Sequence, residues 1–195
     1  MARRTVGLLG GSFNPAHDGH RYVSLLALRR LGLDEVWWLV SPQNPLKPTA
    51  GMAPLAQRLA AAQRLARHPR IRVSDIEQRL GTRYTVDTIS RLQQRFPGSR
   101  FVWLMGADNL AQIPRWHRWH EIFARVPVAV FDRGDAAFRA LAGPASRRFA
   151  RYRVRDPRAL ARSRPPAWCF LFIARHPASA TAIRAAAKQR RQRKG

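Results

Sequence analysis

The chain has few of the residues that build disulfides, metal cages or acidic sites. It contains one cysteine, 11 acidic residues and only three lysines, so 33 of its 36 basic residues are arginine. A single cysteine excludes an internal disulfide, and Cys169 lies inside the apolar run 168–173, which predicts a buried thiol. We therefore expect a protein of the reducing cytoplasm.

Long apolar runs are also missing. The first run, residues 6–9, has only the length of a strand and ends at Gly10 and Gly11, so we expect neither a signal peptide nor a membrane span. A chain of 195 residues is long enough to bury one full core. We expect a single domain over residues 1–187, followed by a frayed basic tail over residues 188–195.

The strongest compositional bias is positive charge. A formal net charge of +25 attracts nucleic acid, anionic membranes and phosphate-bearing metabolites alike. The basic residues are scattered through every segment, and no nucleic-acid-binding motif accompanies them. We expect no specific nucleic acid partner and no membrane partner, although a nucleic-acid-binding protein that uses this basic surface stays open as an alternative.

Six short apolar runs alternate with segments of helical periodicity. The runs are 6–9, 36–40, 71–73, 101–105, 126–131 and 168–173, and the helical segments are 21–31, 54–67 and 85–96. This alternation predicts an α/β protein with a single Rossmann-like open sheet, mostly parallel and flanked by helices. In such a sheet, ligands bind at the carboxyl ends of the strands.

The segment that follows the first predicted strand has the features of a phosphate site. Gly10 and Gly11 allow the backbone to approach an anion, and the next helix offers unpaired N–H groups and the positive end of its dipole. His17 and His20, three positions apart, add donors for phosphate oxygens. Neither the G-x-x-x-x-G-K-[ST] motif nor the dinucleotide fingerprint is present, so the predicted site is of another kind.

Polar residues follow two further predicted strands. Lys47 lies in a proline-rich loop after the second strand and is a candidate phosphate ligand. Asp108 and Trp116 follow the fourth strand, where a carboxylate can accept hydrogen bonds from a ribose and an indole can stack on a ring. Each of the three has a structural alternative. In that alternative the loop that contains Lys47 is an ordinary connector, Asp108 caps a helix and Trp116 packs in the core.

A second histidine pair has the same spacing as the first. His117 and His120 have no partner cysteines and no H-E-x-x-H motif, so we expect surface residues and no metal held by the protein. Near the end of the chain, Ser179 and Thr181 precede a helical run that contains Arg184. A hydroxyl there normally caps a helix, but an arginine in its first turns opposes the dipole unless an anion is bound.

The opening segment resembles the G-x-F-x-P-x-H-x-G-H signature of the nucleotidylyltransferase superfamily, matched by Gly11, Phe13, Pro15, His17, Gly19 and His20. The remaining segments are similar to those of bacterial nicotinate-nucleotide adenylyltransferases. Residues 79–89 resemble the S-Y-T-x-x-T-L element, with Arg83 in place of the usual serine. Residues 106–116 fit the family's spacing, and residues 179–184 resemble its I-S-S-T-x-I-R element.

The resemblance implies transfer of the AMP part of ATP to nicotinate mononucleotide, with Mg²⁺ carried on the ATP phosphates. It implies catalytic roles for His17, His20 and Arg184. It implies ATP or phosphate contacts for Gly10, Gly11, Ser12, Phe13, Lys47, Gly106, Ser179 and Thr181. Contacts to the nicotinate nucleotide are implied for Asn44, Thr85, Asp108, Trp116 and Arg133. Enzymes of the same fold that use nicotinamide mononucleotide or phosphopantetheine remain alternatives, and the sequence does not predict the oligomeric state.

Overall fold

The computed structural model describes residues 3–43, 51–132 and 136–174, in which strands and helices alternate along the chain. The strands are β1 (Arg4–Gly11), β2 (Glu35–Val40), β3 (Ile71–Ser74), β4 (Ser99–Gly106), β5 (Val128–Asp132) and β6 (Trp168–Phe172). The helices are α1 (Asp18–Arg30), α2 (Leu55–Ala66), α3 (Ile76–Leu80), α4 (Thr85–Arg95), α5 (Ala107–Gln112), α6 (Trp119–Arg125), α7 (Ala137–Leu141), α8 (Pro144–Arg148) and α9 (Pro157–Leu160). Two short 3₁₀ turns span Ile113–Arg115 and Ala150–Tyr152.

The six strands form one parallel sheet in the order β3-β2-β1-β4-β5-β6. β1 lies between β2 and β4. From β1 the chain adds β2 and β3 on one side of the sheet and then β4, β5 and β6 on the other, so the direction of connection reverses at β1. In an open parallel sheet such a reversal leaves a crevice at the carboxyl ends of the strands. The predicted fold class is confirmed, and β1 and β4 place Gly11 and Gly106 at the edge where this crevice lies.

Both faces of the sheet are covered by helices. Val6, Leu8 and Trp103 belong to the core on the face packed by α4, α5 and α6, whereas Leu9 and Trp38 belong to the core on the face packed by α1 and α2. Every residue of β2 is buried. A strand buried on both faces has continuous rather than alternating hydrophobicity, as in β2, β4 and β5. All six predicted strands are confirmed, including the edge strand β3, in which only Ile71 is buried.

The boundaries of some elements differ from the prediction for local reasons. α1 begins at Asp18, three residues before its predicted start, because His17 is its N-cap, and it is followed by Gly32 with a left-handed φ of 67°. β5 begins at Val128 rather than at 126. The N–H of Val126 donates to the carbonyl of Ile122 at the end of α6, and Pro127 has no N–H to offer a strand.

The single thiol is buried as predicted. Cys169 lies on β6 with 1% of its surface exposed, and burial raises its pKa to about 12. Within the described residues the longest helix, α1, has 13 residues, and no helix has the length and apolarity that crossing a bilayer requires. The predicted domain boundary between residues 187 and 188 lies outside the described part of the chain.

Candidate functional site

The glycine pair lies where β1 ends, at the crevice. A Cβ on Gly10 would lie 2.5 Å from Cη2 and 3.1 Å from Cζ2 of the Trp103 indole, so the position requires glycine for packing. A Cβ on Gly11 would meet only ordinary contacts, the nearest at 3.6 Å from the Phe13 ring. The sequence predicted both glycines from backbone access to an anion, and the structure adds a steric requirement at Gly10 from β4.

The two histidines lie together at the N-terminus of α1. His17 is the buried N-cap, His20 is half-buried, and their ring centroids are 3.9 Å apart. The backbone N–H of His17 donates to Nδ1 of His20 at 3.2 Å, and the same Nδ1 lies 3.3 Å from the carbonyl oxygen of His17. Where Nδ1 accepts, a neutral ring carries its proton on Nε2. A cationic ring keeps that proton and donates from Nδ1 to the carbonyl, so Nε2 is a donor in these two states, but not in the neutral tautomer that carries its proton on Nδ1.

A cluster of three aromatic rings holds His20 in place. The Phe13 ring packs against His20 at a centroid distance of 4.6 Å and against Trp38 at 5.2 Å, and the His20 and Trp38 rings are 5.9 Å apart. Phe13 is 2% exposed and has a φ of 46°, a left-handed conformation that is uncommon for an aromatic residue. The Trp38 indole donates to Ser24 Oγ at 2.7 Å, and Ser24 donates to the carbonyl of His20 at 2.8 Å.

Two of the residues predicted for the second substrate, Thr85 and Trp116, belong to segments on the opposite face of the sheet. Thr85 is the first residue of α4, and the half-buried Trp116 ring packs edge-on to Trp103 with centroids 6.5 Å apart. The ring of Tyr84, the residue before Thr85, lies 4.3 Å from that of His117, the residue after Trp116. This contact joins two segments that are far apart in the sequence.

Gly106 and Asp108 lie at the carboxyl end of β4. Gly106 is the N-cap of α5, and Asp108 is an exposed residue in the first turn, where a negative charge suits the helix dipole. Asp108 therefore does not cap the helix, the structural alternative considered for it. His117 and His120 are exposed, as predicted, and no group of three or more potential metal-ligating side chains occurs among residues 3–43, 51–132 and 136–174.

Two residues beside the crevice were missed by sequence reasoning. Glu77 of α3 is buried, Thr88 Oγ1 donates to its Oε1 at 3.5 Å, and burial raises the pKa of its carboxyl despite hydrogen bonds from Ser41 and Thr88. Arg58 of α2 is also buried and donates to backbone carbonyls of the loops that follow β1 and β2. Neither belongs to a recognisable motif, because the partners of each come from separate segments.

In the described part of the chain, six predicted residues lie near the carboxyl end of β1: Gly10, Gly11, Ser12, Phe13, His17 and His20. Gly106 ends the neighbouring strand β4, and Asp108 follows it in α5. The segments of Thr85 and Trp116 lie on the other face of the sheet, where Trp116 packs against Trp103 of β4 and the rings of Tyr84 and His117 are in contact. Six further predicted site residues lie outside the described part of the chain: Asn44, Lys47, Arg133, Ser179, Thr181 and Arg184.

A six-stranded parallel sheet with this strand order is a Rossmann-like α/β fold, the class to which many nucleotide-binding proteins belong. Residues 8–186 match the sequence profile of a family described as cytidylyltransferase-like.

Relatives with curated names define the family more narrowly. A protein of Cereibacter sphaeroides named "Probable nicotinate-nucleotide adenylyltransferase" is 58% identical over 185 residues, which cover 95% of this chain and 99% of the relative. One of Parvibaculum lavamentivorans with the same name is 56% identical over 193 residues, covering 94% and 96% of the two chains. The chain belongs to the cytidylyltransferase-like family and, within it, to the nicotinate-nucleotide adenylyltransferases.

A solved structure supports the fold at lower identity. The Plasmodium falciparum nicotinic acid mononucleotide adenylyltransferase complexed with NaAD superposes with a TM-score of 0.69 at 14% identity. The match covers 93% of this chain and 83% of that one. This similarity is one of fold.

Proposed function

We propose that this protein transfers the AMP part of ATP to nicotinate mononucleotide, giving nicotinate adenine dinucleotide and pyrophosphate. The observation that carries the proposal is the agreement along the whole chain with relatives of that name, at 58% identity over 95% of its length. The geometry fits this function because a glycine-ended strand, a helix N-terminus and two adjacent imidazoles converge at the carboxyl edge of the sheet.

In the proposed reaction, an oxygen of the mononucleotide's phosphate attacks the α-phosphorus of ATP. A new P–O bond forms, the bond between the α-phosphorus and the bridging oxygen breaks, and pyrophosphate leaves with that oxygen. No covalent intermediate with the protein is needed, so catalysis consists of positioning and charge stabilisation. We assign the phosphates to the N-terminus of α1, where the Nε2–H of His20 donates to an oxygen whose charge develops in the transition state.

We assign the acceptor to the crevice beside Thr85 and Trp116. The Trp116 ring is half-buried and held edge-on by Trp103, so one of its faces suits stacking on the pyridine ring. Main-chain groups at Thr85 would receive the pyridine carboxylate, and Asp108 would accept from a ribose hydroxyl. We further propose acceptor contacts for Asn44 and Arg133, and phosphate contacts for Lys47, Ser179, Thr181 and Arg184.

Mg²⁺ enters this proposal as part of the substrate, bound to ATP phosphate oxygens. An oxygen-rich site with retained waters is what Mg²⁺ prefers, and a triphosphate supplies it without a cage of protein carboxylates.

Acceptor choice tests the proposed function directly. The protein is incubated with Mg-ATP and nicotinate mononucleotide, nicotinamide mononucleotide or phosphopantetheine, and pyrophosphate release is followed. We expect the highest kcat/KM with nicotinate mononucleotide. A higher value with either of the other acceptors contradicts the assignment.

Replacement of His20 tests the phosphate site. Loss of a transition-state donor lowers turnover substantially, so His20→Ala is expected to reduce kcat at least about tenfold while the protein remains folded. The matched control is His120→Ala, which removes an exposed imidazole from α6. Equal activity of the two variants would remove His20 from the mechanism.

A further inference from the structure

Arg58 holds four hydrogen bonds to backbone carbonyl oxygens. It is the fourth residue of α2, and only 3% of its surface is exposed. Its Nε donates to the carbonyl of Ala53 at 2.8 Å, and its Nη2 donates to that of Pro42 at 3.0 Å. Its Nη1 donates to the carbonyls of Ser12 at 2.6 Å and Ser41 at 2.7 Å.

This environment is unusual for a buried cation. None of the ion pairs among the described residues involves Arg58, and the partners of its guanidinium in that part of the chain are carbonyl dipoles. Burial lowers the pKa of its guanidinium, but an arginine stays protonated. A positive charge near the start of a helix also opposes the helix dipole. A buried charge is costly even when it is paired. Neither the stability of α2 nor apolar packing therefore explains why an arginine occupies this buried position.

The four carbonyls belong to three segments that meet at the crevice. Ser12 follows β1, Ser41 and Pro42 follow β2, and Ala53 precedes α2. Three further bonds join the same segments. The N–H of Ser41 donates to the carbonyl of Gly11 at 2.9 Å, that of Ala53 donates to Asn14 Oδ1 at 3.2 Å, and Asn14 Nδ2 donates to the carbonyl of Gly51 at 3.3 Å. The guanidinium therefore donates hydrogen bonds to all three segments where they meet.

The Ser12 carbonyl is next in the chain to Phe13, whose ring packs on His20. A guanidinium that fixes the carbonyl of residue 12 therefore also limits where the Phe13 ring and the N-terminus of α1 lie. The planar fork of an arginine matches several carbonyls at once, which a single ammonium group does less well.

We propose that Arg58 is a positioning residue for adenylyl transfer. Its buried guanidinium gathers the carbonyls of Ser12, Ser41 and Pro42 and thereby sets the loop that carries Phe13, His17 and His20. The proposal rests on the proposed function, because it concerns the same site.

The test compares Arg58→Met, Arg58→Lys and the control Arg64→Met, which removes an exposed arginine from the same helix. Activity is measured well below the unfolding midpoint of each variant, with saturating Mg-ATP and nicotinate mononucleotide. We expect kcat to fall at least about tenfold in Arg58→Met, to fall less in Arg58→Lys, and to stay within twofold of wild type in Arg64→Met. A residue with only a structural role would lower the unfolding midpoint and leave kcat unchanged.

Backbone amide hydrogen exchange gives a readout that does not need activity. We expect exchange to accelerate at residues 11–14 and at 41 and 43 in Arg58→Met, without a matching change in β4 or α4. Unchanged kcat in Arg58→Met, or faster exchange spread evenly over the chain, would overturn the proposal. Should Arg58→Met fail to fold, Arg58→Lys decides by the same two measurements. A wild-type protein inactive with all three acceptors would refute the proposed function, while the exchange pattern would still test Arg58.

Discussion

Replacing Gly10 with alanine is expected to destabilise the protein through a single clash. The new Cβ would lie 2.5 Å from Cη2 of Trp103, closer than carbon atoms approach without displacement. Trp103 cannot swing away freely, because it is 2% exposed within the core and packs against the Trp116 ring. Either β1 or the indole must move.

The magnitude follows from two opposing effects. Overpacking a core costs about 1–3 kcal/mol. Replacing glycine with alanine also restricts the unfolded chain, which offsets about 0.4–1 kcal/mol of that cost. The steric effect is larger, so we expect a net loss of about 1–2 kcal/mol in the free energy of unfolding. For a protein of this length that loss lowers Tm by about 2–8 °C.

Urea denaturation followed by circular dichroism measures the loss, with a double-mutant cycle to identify its cause. Trp103→Phe removes the outer part of the indole, so the penalty of Gly10→Ala is expected to shrink by about 1 kcal/mol or more in that background. The control is Gly98→Ala, since a Cβ at Gly98 meets nothing within 4 Å. Equal stability of Gly10→Ala and Gly98→Ala, or the same Gly10→Ala penalty in both backgrounds, would refute a clash with Trp103.

Three further predictions concern buried groups. Because burial raises the pKa of Cys169 to about 12, its thiol should not react with a disulfide reagent at pH 8 until urea unfolds the protein; rapid native-state reaction would contradict this. Burial raises the pKa of Glu77, so its ionised form weakens the fold as pH rises above the usual glutamate range. Glu77→Gln should therefore gain stability relative to wild type between pH 4 and pH 8, and a pH-independent difference would be the contrary result. Ser24→Ala leaves the Trp38 N–H without its acceptor, and urea denaturation should show a loss of about 1–3 kcal/mol.

Local patterns in the sequence account for most of the fold. The six apolar runs became six strands. In β2, β4 and β5 the reason is burial on both faces of a parallel sheet, which leaves a continuous apolar signal that does not depend on register. α1, α2 and α4 were predicted for their helical periodicity. The helices from α5 to α9 have only four to seven residues, too few for periodicity to show, and the sequence did not predict them.

The contacts of the candidate site also divide into those that the sequence predicts and those that it does not. His17 and His20 are near neighbours in one motif, so sequence alone brought them together. Thr85 and Trp116 are chain neighbours of Tyr84 and His117, whose rings are in contact although they belong to separate segments. The resemblance predicted both segments but not this contact.

Only the tertiary structure revealed the residues that hold the site in place. Arg58 reaches Ser12 across 46 positions of the chain and Ser41 across 17, and the ring of Trp103 from β4 requires a glycine at position 10 of β1. Sequence by itself determined the parallel sheet, the closeness of His17 and His20, and the buried thiol, because each depends on residue types close together in the chain. The hydrogen bonds from Arg58 to four backbone carbonyls and the steric requirement at Gly10 depend on which strands are neighbours. Those neighbours are decided only when the sheet assembles.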